Sequence, residues 1–202
     1  MLAGLLTSAG VQAQTQTPSL AESVAQQLRD IPIVRASFVQ TKQIAALKRP
    51  VISRGHFIFS KEHGILWELQ QPINITYLLQ TSGTIEIAAD GRVRRQSGRE
   101  AQGMNEVGRI LSALWGGNTR VLEPLFQTQM QGRIEQWTLT LVPKSAPLSE
   151  FLTRITVTGS TTRIQRVLLV EMGGDLLTID FQPEVQPAPL SAQELRVFQA
   201  KP

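Results

Sequence analysis

The sequence predicts a mainly β protein with helices, of the α+β class, in which helical segments cover part of a barrel-like sheet. Two patterns support this fold class. About ten short apolar-rich runs follow one another at a spacing of roughly 8–12 residues, separated by turn residues, which is typical of a sandwich or a barrel-like sheet. Helical periodicity occurs once before these runs and once between them.

The composition is that of one folded domain without disulfides. Of the 202 residues, 42% are hydrophobic and 18% are charged, which provides enough apolar material for a sizeable core. No repeat, linker or change of composition divides the chain, so we expect a single domain over residues 14–202. The chain has no cysteine, which excludes thiol catalysis, thiolate metal sites and a lipidated N-terminal cysteine.

Residues 1–13 are predicted to be a signal peptide. Residues 2–11 are an uncharged apolar and small-residue run, and Val11 and Ala13 place small residues where signal peptidase requires them. The run is shorter than the ~20 apolar residues that span a bilayer. It lacks a basic n-region, so a frayed apolar N-terminus is the alternative. With the peptide cleaved and no cysteine to anchor the chain, we expect an unanchored periplasmic protein.

Residues 17–32 are predicted to form a helix. Ser19 can cap its N-terminus, Glu22 lies three residues later and completes a capping box, and Pro32 ends the helix. One face must pack on another element, because apolar residues recur at helical spacing. These residues are Leu20, Val24, Leu28 and Ile31.

Most of the remaining chain is predicted to form strands. The segment 54–73 contains two of them, separated by a charged turn at residues 61–64. A helical insert over residues 101–130, broken at Gly116 and Gly117, interrupts the series. The other predicted strands span residues 33–44, 73–81, 84–89, 133–143, 149–159, 163–172, 175–182 and 194–200, with a strand or loop from residue 92.

Several predicted strands are apolar on both faces. Within residues 163–172, Val167 and Leu169 face one side of the sheet, whereas Leu168 and Val170 face the other. The outer face of a simple sandwich is polar, so these strands need cover on both sides. A sheet curled around an apolar cavity, with helices as a lid, meets this need and suits acyl chains. The alternative is a two-layer core with helices packed on it.

Catalytic and metal-binding patterns are missing from the sequence. His56 and His63 are its two histidines, and their spacing across a turn matches no metal-ligand motif, so we expect structural roles for both. No nucleophile elbow, phosphate-binding loop or zinc-protease motif occurs. We therefore expect no enzyme, no metal and no cofactor. A hydrolase of an acylated envelope substrate is the weakest alternative, since no nucleophile can be paired with a base.

The segment 91–100 concentrates positive charge. Its arginines are Arg92, Arg94, Arg95 and Arg99. It has no aromatic residue on which bases could stack, so we do not expect nucleic acid as a partner. The segment is either a solvated hairpin or loop, or an electrostatic patch for an acidic partner or an anionic head group.

Three segments resemble the periplasmic outer-membrane lipoprotein carrier (LolA) family. ASFVQ at residues 36–40 is similar to the family's A-S-F-x-Q segment. GHFIFSKEHGILWELQQP at residues 55–72 is similar to G-x-L-W-V-K-R-P-x-x-F-x-W-x-x-x-x-P. LTLVPKSAPLSEFLTRITV at residues 139–157 is similar to the family's L-T-P-K and the strand that follows it. The order of elements fits as well, so the resemblance covers most of residues 19–182.

The resemblance implies a half-open antiparallel β-barrel with a helical lid over an apolar cavity. Ile65 and Trp67 take the places of cavity-lining residues in the family, whereas Ile58 and Leu66 are expected on the packed convex side. The expected cavity wall consists of Phe57, Phe59, Ile65, Trp67, Leu69 and Tyr77.

The resemblance also implies a movable lid. Leu28 falls at the position of a lid leucine, and Leu111 and Leu114 of the helical insert are expected to join it. Lys61 takes the place of the family's arginine, which hydrogen-bonds the lid and couples its opening to cargo. A lysine keeps the charge of that arginine but lacks its forked set of donors.

The predicted function is that of a periplasmic carrier. It shields the acyl chains of a lipoprotein or lipid in its cavity and ferries this cargo from the inner to the outer membrane. The implied partners are the cargo, an inner-membrane exporter and an outer-membrane acceptor, with only transient membrane contact and a monomeric carrier. The alternative is a non-carrier periplasmic interaction module that binds an acidic partner through its basic loop.

Overall fold

The computed structural model describes residues 18–184 and 188–201. The predicted signal peptide, residues 1–13, lies outside these ranges. Within them the chain forms eleven strands, four α-helices and a short 3-10 helix at Thr119–Leu122. None of the helices in this part of the chain is long and apolar enough to cross a membrane.

The strands follow one another as hairpins. They are β1 (Ile33–Gln43), β2 (Val51–Ser60), β3 (Gly64–Gln71), β4 (Ile75–Gln80), β5 (Gly83–Ala88), β6 (Val93–Arg95), β7 (Phe126–Arg133), β8 (Gln136–Pro143), β9 (Leu152–Ser160), β10 (Arg163–Glu171) and β11 (Leu176–Pro183). The helices are α1 (Leu20–Arg29), α2 (Gly98–Trp115), α3 (Leu148–Phe151) and α4 (Ala192–Phe198).

All the strands belong to one sheet, in the order β6-β5-β4-β3-β2-β1-β11-β10-β9-β8-β7. Strands β1–β6 and β7–β11 are two meanders, which join where the first strand pairs with the last, Phe38 opposite Phe181. The edge strands β6 and β7 do not pair, so the sheet curls without closing. The predicted α+β class, a half-open antiparallel β-barrel with a helical lid, is confirmed.

Helices α1 and α2 cover the concave face of the sheet. The predicted capping box of α1 is confirmed, because Ser19 accepts from the amide of Glu22 and the Glu22 carboxylate accepts from the amide of Ser19. The apolar face of α1 places Val24 and Leu28 in the main core. These side chains pack there with Trp115 at the C-terminal end of α2.

An aromatic cluster lies at the join of the two meanders. It brings together Phe38, Phe57, Trp67, Trp115 and Phe181, with neighbouring ring centroids between 4.2 and 6.4 Å apart. Aromatic pairs at such distances add about 0.5–1.5 kcal/mol each beyond the area they bury. The cluster therefore fastens α2 to both halves of the sheet.

The prediction of a last strand at residues 194–200 is wrong, because residues 194–198 belong to the helix α4. Ser191 and Glu194 form a second capping box at its N-terminus. Phe198 packs on the convex face of the sheet against Ile58 and Leu66, which confirms the predicted convex position of these two residues. A segment this short carries too few apolar residues to separate helical from strand spacing.

The helical insert predicted over residues 101–130 is correct only in part. Helix α2 accounts for its first half, but its second half holds a single 3-10 turn and the start of β7. Most side chains of β7 are exposed, so the strand has no apolar alternation that a sequence could display. Its pairing with β8 makes it a strand.

Candidate functional site

An apolar cavity of about 530 Å³ lies between the concave face of the sheet and the helices α2 and α3. This volume falls within the range of about 300–1,000 Å³ that is typical of small-molecule sites. The sheet contributes mostly aliphatic and aromatic lining: Trp67, Leu69, Tyr77, Leu79, Leu152, Ile155, Leu169, Leu177 and Ile179.

Strand alternation explains why β10 and β11 supply so much of the wall. Every second residue of a strand faces the same side, so Leu169 on β10 and both Leu177 and Ile179 on β11 face the concave side together. Leu169 lies opposite Leu177 in the register of the two strands. The pair forms a continuous aliphatic patch that faces the lid.

The side of the cavity opposite the sheet is built from the helices α2 and α3. Val107, Ile110 and Leu111 lie on one face of α2, because residues three and four apart share a helix face. Leu148 and Phe151 at the two ends of α3 complete the apolar wall. Phe151 is half exposed, so it belongs both to the cavity and to the outer surface.

Charged side chains occur at the mouth of the cavity. Lys42 Nζ lies 3.0 Å from Glu171 Oε1, and both side chains are about one-third exposed. Gln40 and Glu106 add further polar groups to the lining. A mostly apolar interior with the partly exposed Lys42–Glu171 pair in its lining suits an amphiphile, whose chain enters the cavity and whose polar part stays near water.

Three of the predicted wall residues line this cavity: Trp67, Leu69 and Tyr77. The other three, Phe57, Phe59 and Ile65, lie in the packed core under α1 and the end of α2. The ring of Phe57 lies 4.6 Å from that of Trp115, between centroids. They share the concave face with the lining residues, but the lid fills the space above them.

The predicted lid residues divide in the same way. Leu111 lines the cavity, whereas Leu28 and Leu114 are buried in the core. Lys61 is exposed and its ammonium lies 3.5 Å from the carbonyl oxygen of Arg29, at the C-terminal end of α1. A cation there interacts favourably with the helix dipole. Lys61 therefore contacts the lid helix through one long hydrogen bond from its side chain.

The arginines of the predicted basic patch make contacts within their own hairpin. Arg94 donates to both carboxylate oxygens of Glu86, each at 2.8 Å, which lowers the pKa of that carboxyl group. Arg92 pairs with Asp90 at 2.7 Å, and Arg95 donates to the carbonyl of Ser82. The side chain of Arg99 lies outside the part of the chain that the structure describes. These ion pairs offset part of the charge that an acidic partner would meet.

A smaller polar pocket of about 280 Å³ lies on the opposite, convex face, between α4 and the sheet. Arg35 and Glu194 form a two-pronged ion pair there, which lowers the pKa of Glu194 to about 2. Burial raises the pKa of Glu68, and His56 lies 2.9 Å from Glu184. Among the described residues no three acidic or histidine side chains are arranged to hold a metal ion.

The sequence prediction did not assign the cavity residues of the second meander. Ile155, Leu169, Leu177 and Ile179 all line the cavity. The sequence did indicate that these strands are covered on both sides, because residues 163–172 and 175–182 are apolar on both faces. The pattern does not say which face is concave, and this depends on the curl of the whole sheet.

Residues 13–180 match the family model described as outer membrane lipoprotein carrier protein LolA-like. The match runs from before α1 almost to the end of β11, and it leaves α4 outside. Among curated proteins, none matches the chain with significant similarity.

Three solved structures are similar to most of the chain. A LolA superfamily protein from Nitrosomonas europaea is 7% identical, with a TM-score of 0.43 over 85% of this chain and 96% of that chain. A putative outer membrane lipoprotein-sorting protein domain from Vibrio parahaemolyticus is 10% identical, with a TM-score of 0.45 over 89% and 98%. The MucA/MucB complex of Pseudomonas aeruginosa is 16% identical, with a TM-score of 0.39 over 90% of this chain and 61% of that chain.

Proposed function

Because the chain belongs to the LolA-like family of outer membrane lipoprotein carrier proteins, we propose that it carries an acylated lipoprotein or lipid across the periplasm. In this proposal residues 1–13 direct its export and are then removed. The mature protein acts as a monomer. It receives cargo from an inner-membrane exporter and delivers it to an outer-membrane acceptor.

The apolar cavity between α2, α3 and the sheet is the observation that carries this proposal. Its wall is mostly aliphatic and aromatic, and the partly exposed Lys42–Glu171 pair lies at the mouth. Burial of an acyl chain is worth about 0.8 kcal/mol per methylene, so even a partly buried chain would bind. A carrier has to release its cargo again, which a small cavity with a movable lid permits.

The lid supports release because its contacts are of two kinds. The end of α2 is packed into the aromatic cluster through Trp115, which fixes it to the sheet. The segment of α2 above the cavity contributes Ile110 and Leu111 to the lining. These two side chains border space that cargo could fill. A long acyl chain would require this segment to move outward, with Trp115 as the fixed end.

The proposal is tested by filling the cavity. Leu169→Trp places a large ring in the space that the acyl chain would occupy, and we expect uptake of a fluorescent fatty acid to fall at least tenfold, about 1.4 kcal/mol. Native mass spectrometry of protein purified from a membrane-bearing host should show co-purified lipid for the wild type and less for this variant.

The matched control is the neighbouring residue of the same strand. Leu168 faces the convex side and does not line the cavity, so Leu168→Trp should bind the fatty acid like the wild type. Equal uptake by both variants, or the absence of lipid and of uptake in the wild type, would refute the carrier function.

A further inference from the structure

Exposed apolar side chains gather at one end of the barrel. The cavity reaches the surface at this end, because the lining residues Phe151, Lys42 and Glu171 are partly exposed there. Strand register places the β1–β2 loop, the β3–β4 turn, the β8–β9 connection and the β10–β11 turn at this end. Each of these four neighbouring connections carries a large hydrophobic residue that is about half exposed or more. We call the set the apolar rim: Leu47, Ile73, Phe151 and Met172.

Hydrogen bonds join three of these connections into one surface. The amide of Ala45 donates to Asp175 Oδ1 at 2.9 Å, which ties the β1–β2 loop to the β10–β11 turn. The amide of Met172 donates to the carbonyl of Phe151 at 3.0 Å, which ties that turn to α3. Phe151 also lines the cavity, so the apolar rim is continuous with the cavity wall.

Positive charge accompanies the apolar residues in the β1–β2 loop. Lys48 and Arg49 follow Leu47 directly, both are exposed, and neither pairs with a carboxylate among the described residues. Of the nearby acids, Glu171 is paired with Lys42, whereas Asp175 accepts from a backbone amide and keeps its negative charge. Exposed Glu150 on α3 is an opposing charge, so the basic character is confined to the loop.

We propose that the apolar rim, with Lys48 and Arg49, docks the mouth of the cavity on the surface of an anionic lipid bilayer. Apolar side chains beside basic ones are the combination that binds the membrane interface, because the former enter the acyl boundary and the latter meet the phosphates. The apolar residues sit on separate loop tips, which a fluid bilayer can accommodate individually, whereas a protein partner would need a matching shape.

The docking proposal rests on the proposed carrier function, because docking in this orientation would serve the transfer of cargo. Cargo could pass between bilayer and cavity without exposing its acyl chains to water. The binding itself does not require cargo, so it can be measured on the empty protein.

The electrostatic part is tested by flotation with vesicles of phosphatidylcholine and phosphatidylglycerol, and of phosphatidylcholine alone. The double variant Lys48→Gln, Arg49→Gln should bind the anionic vesicles about 25-fold more weakly, because each basic residue near such a surface contributes about fivefold. The matched control is Arg133→Gln, Arg163→Gln, which removes the same charge from exposed residues at the other end of the barrel. It should change binding by less than about twofold, since that end lies beyond the screening length.

The apolar part is tested by Ile73→Ser with Met172→Ser, which should weaken binding to both vesicles by about tenfold. Val121→Ser is its control, because Val121 is similarly exposed but lies beside the β4–β5 turn, at the opposite end. Docking is refuted if the wild type binds neither vesicle, which would leave the apolar rim to a protein partner. It is also refuted if the rim variants bind like the wild type, or if the controls lose as much.

The same proteins separate this inference from the carrier function. The rim variants should take up a fluorescent fatty acid from solution like the wild type, whereas Leu169→Trp should float with the vesicles but take up at least tenfold less fatty acid. Retained uptake by Leu169→Trp together with vesicle binding would overturn the carrier function and leave docking in place.

Discussion

The guanidinium group of Arg35 holds the C-terminal segment on the convex face through four hydrogen bonds. It donates to both carboxylate oxygens of Glu194 and to the carbonyls of Ala188 and Pro189. Both charged side chains are mostly buried, at 13% and 20% exposed. Hydrogen bonds to a charged group contribute about 1.5–3 kcal/mol, more than an exposed ion pair does.

The Arg35–Glu194 pair makes stability depend on pH. Glu194→Gln should lower the free energy of unfolding by about 2 kcal/mol near neutral pH. The pair holds the pKa of Glu194 at about 2, below its ordinary value of 4.5, so folding favours the ionised form. The stabilisation is therefore complete above pH 4.5 and is lost as the pH falls from 4.5 towards 2.

Urea unfolding of wild type and Glu194→Gln over this pH range measures the effect. The difference between their free energies of unfolding should shrink as the medium becomes more acidic. Asp180→Asn serves as the control, because Asp180 pairs with Arg166 in an exposed site and should contribute less than about 1 kcal/mol. A difference between wild type and Glu194→Gln that stays constant with pH would contradict the assignment.

At the scale of elements, the two lid helices meet at a glycine. Gly117 has a φ of +62°, which an L residue rarely adopts, and it follows the end of α2. A Cβ built on Gly117 would lie 2.2 Å from the carbonyl oxygen of Ala25 and 2.6 Å from the amide nitrogen of Arg29. Both are backbone atoms of α1, so the close approach of α1 and α2 requires a residue without a side chain.

Gly117→Ala should therefore separate the two lid helices. We expect a loss of about 3 kcal/mol in the free energy of unfolding, part of it from the left-handed backbone and part from the displaced helix. Gly91→Ala is a matched control, because Gly91 also has a positive φ of +82° but nothing lies within 4 Å of the added Cβ. It should cost about 1 kcal/mol. Equal losses in thermal or urea unfolding would show that α1 and α2 can separate freely at Gly117.

Elements with a local signal could be predicted from the sequence, and those formed by distant contacts could not. The helix α1 carries its own capping box and apolar stripe, so its position follows from about a dozen residues. Strand β7 carries no such signal and owes its conformation to its pairing with β8. Helix α4 does carry a capping box, at Ser191 and Glu194, but its apolar stripe is too short to separate a helix from a strand.

The candidate site shows the same division. Alternation within the strands predicts that Trp67 and Leu69 share a face with Phe57, and they do. Whether a residue on that face meets a helix or an empty space depends on where α2 lies along the barrel. Phe57 is covered by Trp115, whereas Leu69 is left to the cavity, and no pattern within β2 or β3 records this difference.

At the scale of the whole molecule, the two meanders depend on one another through Phe181. Its ring lies 4.9 Å from Trp115, 5.5 Å from Phe57 and 6.1 Å from Trp67, between centroids. Phe181→Ala should lower the free energy of unfolding by about 3–5 kcal/mol, because it opens a cavity in this cluster.

Phe181→Ala should destabilise both meanders equally, because they share the aromatic cluster. In single-tryptophan variants that retain Trp67 or Trp137, which lie in different meanders, the two fluorescence transitions should coincide. Phe151→Ala, at a half-exposed aromatic residue, should cost less than about 1 kcal/mol. Separate transitions for the two tryptophans would show that each meander unfolds by itself.

The pairing of the first strand with the last also sets the order in which the barrel can form during synthesis. Until β11 has been synthesised, β1 pairs only with β2 and its other edge stays open. An open strand edge is the kind of surface that pairs with other chains. Contacts between residues so distant along the chain form slowly, because a long loop must close first. The chain therefore cannot form its cavity during synthesis until residue 183 has been translated, because Leu177 and Ile179 of β11 belong to the cavity wall.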